Sequence, residues 1–206
     1  MKVLSTFFAS IVFASMNVLA DSSTIAESST GTSALTKGTT IPAVSMTSVN
    51  GDQVDLSNFS KTPTIAIFYR GGWCPYCNRH LSAIQGIKDE LREMGYQIVA
   101  ISPDKVDELK RTSEGQQLDY QLLSDSKGDA ARAFGIAFDA AKEYKPKYGE
   151  RVVGMLENAS GETHHQLPVP SVFILKNGKV EYSYSNPDYT VRLSADELLE
   201  AAKANR

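Results

Sequence analysis

The stretch from Ala66 to Leu81 reads AIFYRGGWCPYCNRHL and holds the only two cysteines of the chain, Cys74 and Cys77. Two thiols so spaced have three chemical uses: a structural staple, a metal site, or electron exchange. A staple across so short a loop stabilises by only about 2 kcal/mol in the chain-entropy model, the low end for a disulfide. Two thiolates are half a zinc centre, and there is no second cysteine pair to complete it. Cu(I) accepts two thiolates and an imidazole, and His80, His164 and His165 are the imidazoles present. Electron exchange needs a thiol made acidic by its surroundings and a second thiol within bonding reach.

The flanking sequence supplies both conditions. Thr64–Tyr69 is a continuous apolar run between Pro63 and Gly71-Gly72, the pattern of a buried strand. From Pro75 onward Leu81, Ile84, Ile87, Leu91 and Met94 recur at helical spacing, and Gly95 ends the helix. Pro75 suits the first helical position. Cys74 then falls near the N-cap and Cys77 in the first turn, beside unsatisfied N–H groups and the positive end of the helix dipole. Such cysteines titrate anywhere from about 3.5 to 7.5. One helical turn also brings the two residues within disulfide range. Gly71 and Gly72 let the loop run close to a substrate. Trp73 is either a docking face or a lid on the core. His80 reads as a solvent-facing helix residue, and His164 and His165 as exposed loop residues.

The rest of the chain is consistent with one exported domain. Its 206 residues are 42% hydrophobic and 22% charged with net charge −3 and no basic cluster, which excludes an electrostatic nucleic-acid binder. MKVLSTFFASIVFASMNVLA has the form of a secretory signal peptide over residues 1–20, too polar and short for a stable membrane span. This predicts a periplasmic or secreted protein. Residues 21–37 are Ser/Thr-rich and read as a flexible linker, and 38–206 as the folded domain.

Within that domain Asn50-Gly51-Asp52 marks a hairpin, Ile98–Ile101 a second buried strand, Asp104–Ser113 a helix and YQLLSD a third strand, with a short helix through Phe134. Residues 139–168 look like an irregular surface excursion. SVFILKNGKVEYSYS is a strand, an Asn-Gly turn and a strand, and Ser194 with Glu197 opens a last helix as a capping box. Strand–helix–strand units ending in a hairpin give an α/β fold with a central mixed sheet flanked by helices.

FYRGGWCPYC, its helix and VPSVFILKNGKV together resemble the thioredoxin fold, and more closely the peroxiredoxin-like branch of the alkyl hydroperoxide reductase/thiol-specific antioxidant (AhpC/TSA) family. The resemblance runs from about Gly38 to the C-terminus. It implies an antioxidant thiol oxidoreductase without a cofactor, acting on a peroxide or a protein disulfide and re-reduced by a thioredoxin-like dithiol protein. On the peroxiredoxin pattern Cys77 falls at the peroxide-attacking position and Cys74 at a threonine. On the thioredoxin pattern Cys74 attacks and Cys77 resolves. Pro75-Tyr76 matches glutaredoxin. Pro170 falls where thioredoxin-fold proteins place a cis-proline facing the disulfide. Arg70 or Arg192 would fill the place of the arginine that holds the peroxide. The site set is thus Cys77 and Cys74 for chemistry, with Trp73, Pro75, Tyr76, Pro170 and Arg70 toward substrate. A disulfide oxidoreductase without peroxidase activity and a copper-binding thioredoxin-fold chaperone are the alternatives.

Overall fold

A computed structural model describes residues 25–206; the expected signal peptide and residues 21–24 lie outside them. Three parallel strands form the centre: β3 (Thr64–Phe68), β4 (Gln97–Ser102) and β5 (Gln121–Ser124). The hairpin β1 (Ser45–Ser48)–β2 (Gln53–Asp55) adds antiparallel beyond β5. The hairpin β8 (Ser171–Lys176)–β9 (Lys179–Ser185) adds antiparallel beyond β3, giving the order β2-β1-β5-β4-β3-β8-β9. The mixed sheet with helices on both faces is the expected architecture.

Strand β3 shows why the sheet has two cores. All five of its residues are buried. Ala66 and Phe68 point to one layer, where Phe68, Phe134 and Phe173 stack with centroids 4.8–5.8 Å apart. Ile65 and Ile67 point to the other, against Leu81, Ile84 and Leu91 of helix α1 (Pro75–Glu93) and against Leu198 and Leu199. A strand buried on both faces must be apolar at every position, which is the run seen in the sequence. Helices α2 (Val106–Gly115), α3 (Asp129–Ala133) and α6 (Ala195–Ala204) complete the layers, α6 opening on the Ser194/Glu197 capping box. Among the described residues no helix is long and apolar enough to cross a membrane.

Two regions depart from the sequence reading. Residues 25–37 are not a loose linker. Ile25, Ala26, Ala34 and Leu35 pack on the core, Ala26 bridges Phe138, and Ser33 and Leu35 donate to Gly135 and Phe134 carbonyls at 2.9 and 3.1 Å. The Glu143 carboxylate accepts from Ser29 N–H at 2.5 Å. Four scattered apolar residues carry this strap, too few and too aperiodic to stand out among serines and threonines. Residues 139–168 are regular. They form helices α4 (Ala140–Tyr148) and α5 (Glu150–Ser160), framed by the small antiparallel pair β6 (Ala137–Asp139) and β7 (Gln166–Pro168). Pro146 near the end of α4 and Gly149 at φ +68° between the helices look like breakers in the sequence. Here the glycine is the hinge of a helical hairpin rather than the mark of a loop.

Candidate active site

Cys74 is the N-cap of α1, with extended dihedrals φ −92° and ψ 112°, and Pro75 is the first helical residue. Its N–H donates to Gly71 carbonyl at 3.1 Å, and its carbonyl accepts from Asn78 N–H at 3.1 Å. The Asn78 side chain donates to Gly72 carbonyl at 2.8 Å, closing the loop over the helix start. Both cysteines are free thiols buried beside each other.

Their acidities part company. The Cys77 thiol and Cys77 N–H both donate toward Cys74, which with Arg70 and Arg192 brings Cys74 down to about 6 despite partial desolvation. Burial pushes Cys77 well up, and the neighbouring Cys74 sulfur adds to it. Of the two, Cys74 is thus the more acidic thiol and Cys77 the less acidic one. Arg192 Nη2 sits 3.5 Å from Cys77 Sγ and offsets part of the cost of ionising it.

Cys74 opens on a cavity of about 580 Å³, walled by Trp73, Tyr76, Tyr144, Tyr148, Val152, Met155 and Tyr189 with Arg70 and Arg151. Arg70 is 7% exposed, and among the described residues no carboxylate pairs with it. Three rings hold it instead: its guanidinium carbon lies 4.1 Å from the Tyr189 centroid and 5.0 Å from those of Trp73 and Tyr144. Aromatic faces accept a guanidinium without neutralising it. The cation thus stays free to act on Cys74 and on whatever approaches it.

On the far side of Trp73 lies a second, more polar cavity of about 700 Å³, bordered by Gly72, Asn78, Asp104, Thr112 and Arg151 among others. Asp104 is wholly buried, and its Oδ2 accepts from Gly72 N–H at 2.7 Å. Burial raises its carboxyl to about 7, against the pull of Gly72 N–H and Ser102; Glu108 and Cys74 raise it further. This neighbourhood explains the two glycines differently from the sequence reading. A Cβ on Gly71, at φ +142°, would meet Trp73 Nε1 and lie 2.7 Å from Asp104 Oδ1, and one on Gly72 would collide with Thr112 Oγ1. The protein's own packing requires a residue without a Cβ at both positions.

The other expected site residues fall as follows. Trp73 is half-buried and walls both cavities, and Pro75 and Tyr76 are exposed at the rim of the Cys74 cavity. Pro170 is buried at the start of β8, and the cis bond expected before it is absent: no peptide is cis among the described residues. Val169 N–H donates to Ile136 at 2.8 Å and Ser171 Oγ to Val169 carbonyl at 2.8 Å, anchoring this corner in the trans form. Pro170 does not line the Cys74 cavity. His80 is not solvent-facing but 8% exposed, and burial with nearby Arg192 lowers it to about 4. His164 is bound to Ser126 carbonyl at 2.6 Å and His165 to Glu157 at 2.8 Å, neither with the thiols. Among the described residues no group of three His, Cys, Asp or Glu is placed to hold a metal ion.

Sequence reasoning missed Tyr144, Tyr148, Arg151, Val152, Met155, Tyr189 and Asp104. The signal for four of them was faint. Tyr144, Tyr148, Val152 and Met155 follow helical spacing, but the Pro146 and Gly149 interruptions masked it. Asp104 gave none, since an acid after a strand usually caps a helix.

Two free thiols one turn apart at a helix start on this sheet define a thiol oxidoreductase of the thioredoxin-like class. The AhpC/TSA family profile matches residues 37–183, and the chain belongs to that family. It is similar to peroxiredoxin Bcp of Escherichia coli K12, with 28% identity over 131 residues, 64% of this chain and 84% of that protein. Among solved structures, peroxidoxin BcpB from Mycobacterium tuberculosis superposes with TM-score 0.64 at 23% identity, covering 84% of this chain and 99% of that one. Reduced Prx3 from Vibrio vulnificus in complex with hydrogen peroxide superposes with TM-score 0.66 at 19% identity, over 82% and 96%. The chain is an oxidoreductase of the peroxiredoxin type.

Proposed function

We propose that the protein is an exported peroxidase in which Cys74 attacks and Cys77 resolves. The Cys74 thiolate attacks the terminal peroxide oxygen, so that an S–O bond forms as the O–O bond breaks; the sulfur becomes a sulfenic acid, and the departing alkoxide or hydroxide takes a proton from solvent to leave as alcohol or water. The Cys77 thiol condenses with the sulfenic acid, releasing water and forming the Cys74–Cys77 disulfide. A thioredoxin-like dithiol protein restores both thiols by exchange. The observation that carries this reading is that Cys74, and not Cys77, lines the cavity beneath Arg70. Arg70 takes the place of the peroxide-holding arginine, and Arg192 the support of the resolving sulfur. This reverses the order given by the peroxiredoxin pattern of the sequence. The aromatic walls suit an organic hydroperoxide as well as hydrogen peroxide.

A thiolate on the first cysteine is also the thioredoxin arrangement, which favours a second reading: a disulfide oxidoreductase that consumes no peroxide. Cys74→Ser and Cys77→Ser, each assayed on hydrogen peroxide and on a protein disulfide, separate the two. The peroxidase reading requires Cys74→Ser to consume no peroxide and Cys77→Ser to form one sulfenic acid per chain. Mixed protein disulfides accumulating on Cys77→Ser, with no peroxide loss in the unmodified chain, select the second reading. Export is supported by the pattern of residues 1–20 and is tested by fractionation and by the mature N-terminus, expected at Asp21.

A further inference from the structure

Four tyrosine rings run in file across the mouth of the Cys74 cavity. Tyr76 and Tyr189 lie 5.8 Å apart between centroids, Tyr189 and Tyr144 6.4 Å, and Tyr144 and Tyr148 6.2 Å. They come from the first turn of α1, from α4 and from the segment between β9 and α6. A cation sits at each end of the file and one at its middle. Arg79 lies 5.5 Å from the Tyr76 centroid, Lys147 5.1 Å from that of Tyr148, and Arg70 4.1 Å from that of Tyr189. Arg79, Lys147 and Arg151 are exposed, and among the described residues none of the three is ion-paired. The carboxylates beside them in sequence have other partners: Glu150 holds Lys145 at 2.6 Å, Glu143 holds Ser29, and Asp188 accepts from Thr190 N–H at 2.9 Å. Among the described residues the exposed large apolar side chains are Tyr76, Tyr148 and Val191. The first two belong to the file, and the third stands two residues after Tyr189.

We propose that this face docks the protein that reduces the Cys74–Cys77 disulfide, and that the partner presents Asp and Glu side chains around its own dithiol. The inference rests on the reading of Cys74 and Cys77 as a redox pair restored by a dithiol protein. Arg79 and Lys147 stand outside the Cys74 cavity, where a small peroxide does not reach but a protein surface does. An apolar centre with a charged rim is the anatomy of a protein interface, and tyrosines are favoured anchors in one. The chain as a whole has formal net charge −3, so it repels an acidic partner everywhere except where cations outnumber acids. That place is the mouth above Cys74, and opposite charge on the partner steers its dithiol to the sulfur. The partner's thiolate attacks Cys74 Sγ, forming a mixed disulfide as the bond to Cys77 breaks, and Cys77 leaves beside Arg192. The partner's second thiol passes its proton to Cys77 and attacks the mixed disulfide, and Cys74 leaves as thiolate. Two electrons have then moved to this chain, and the partner departs as its own disulfide.

The test needs no peroxide, so it stands or falls separately from the peroxidase reading. The full chain is oxidised to the Cys74–Cys77 disulfide with diamide, and its reduction is timed by acid quench, alkylation and mass spectrometry. Two reductants are compared: a thioredoxin of net negative charge, and dithiothreitol, which is small and uncharged. At low salt the double variant Arg79→Glu/Lys147→Glu should be reduced by the thioredoxin about ten-fold more slowly than the unmodified chain, and Arg79→Gln/Lys147→Gln by an intermediate factor. Reduction by dithiothreitol should stay within about two-fold in every variant, since an uncharged reductant is not steered. Raising salt from about 0.01 M to about 1 M shrinks the screening length from about 30 to about 3 Å. The thioredoxin rate of the unmodified chain should fall several-fold over that range, and that of the Glu variant should not. Four results overturn the proposal: thioredoxin rates that are equal in the three chains, a loss that dithiothreitol shares, a rate of the unmodified chain that does not move with salt, or a disulfide that dithiothreitol opens and the thioredoxin does not.

Discussion

Arg192 Nη2 lies 3.5 Å from Cys77 Sγ although the two residues are 115 positions apart. The sulfur whose acidity burial suppresses thus has a cation beside it. Replacing Arg192 by Met keeps the aliphatic packing and removes the charge. Closure of the Cys74–Cys77 disulfide from the sulfenic acid should slow about ten-fold, the change expected from losing one partly desolvated charge. Stopped-flow tryptophan fluorescence checks this directly, because Trp73 is the chain's single tryptophan and borders the site. An unchanged closure rate would remove Arg192 from the mechanism.

Arg70 tests whether a flat cation is needed. Lysine keeps the charge but not the plane stacked among Tyr189, Trp73 and Tyr144. Arg70→Lys should lower kcat/KM for peroxide by about ten-fold or more, on the order of the 1–2 kcal/mol assigned to desolvated cation–π stacking. Arg70→Leu should also raise the pH at which Cys74 is alkylated, since Arg70 helps hold that thiol low. Wild-type kinetics in both variants would count against the site.

The hairpin of α4 and α5 should decide the size of the peroxide accepted. Met155 is half-buried on the wall shared by both cavities. Met155→Trp narrows that wall without touching either sulfur. Turnover of cumene hydroperoxide is expected to fall about five-fold or more while hydrogen peroxide stays within about two-fold, a methylene-scale change in pocket fit being worth roughly 1–3 kcal/mol. Equal losses on both substrates would show that the cavity does not select.

His80 gives a stability prediction with a definite sign. Its imidazole protonates at an ordinary 6.5 when unfolded but only at about 4 in the fold, chiefly through burial. Between these values the unfolded chain binds a proton that the folded chain refuses, so stability falls as pH falls. The loss reaches on the order of 3 kcal/mol by pH 4. Above 6.5 the residue contributes no pH dependence. Denaturant unfolding of His80→Gln should show a flatter profile between pH 6.5 and 4 than the unmodified chain. Parallel profiles would mean that His80 protonates freely.

Much of this protein was legible in its residues. The apolar run 64–69, Pro75 and the helical spacing after it fixed the strand–helix junction, because each feature is a local demand of backbone geometry. The Asn177-Gly178 turn, the Ser194 capping box and the parallel centre followed from the same kind of short-range rule. Local order therefore settled that Cys74 sits at a helix start. It did not settle which cysteine is the more acidic. That depended on Arg70, Arg192 and burial, which converge only when the sheet and its covering segments are assembled. The roof of Tyr144, Tyr148, Val152 and Met155 and the buried carboxyl of Asp104 belong to tertiary structure for the same reason. Secondary structure is written in neighbours along the chain, whereas the field at a sulfur is summed over neighbours in space, and those come from every part of the sequence.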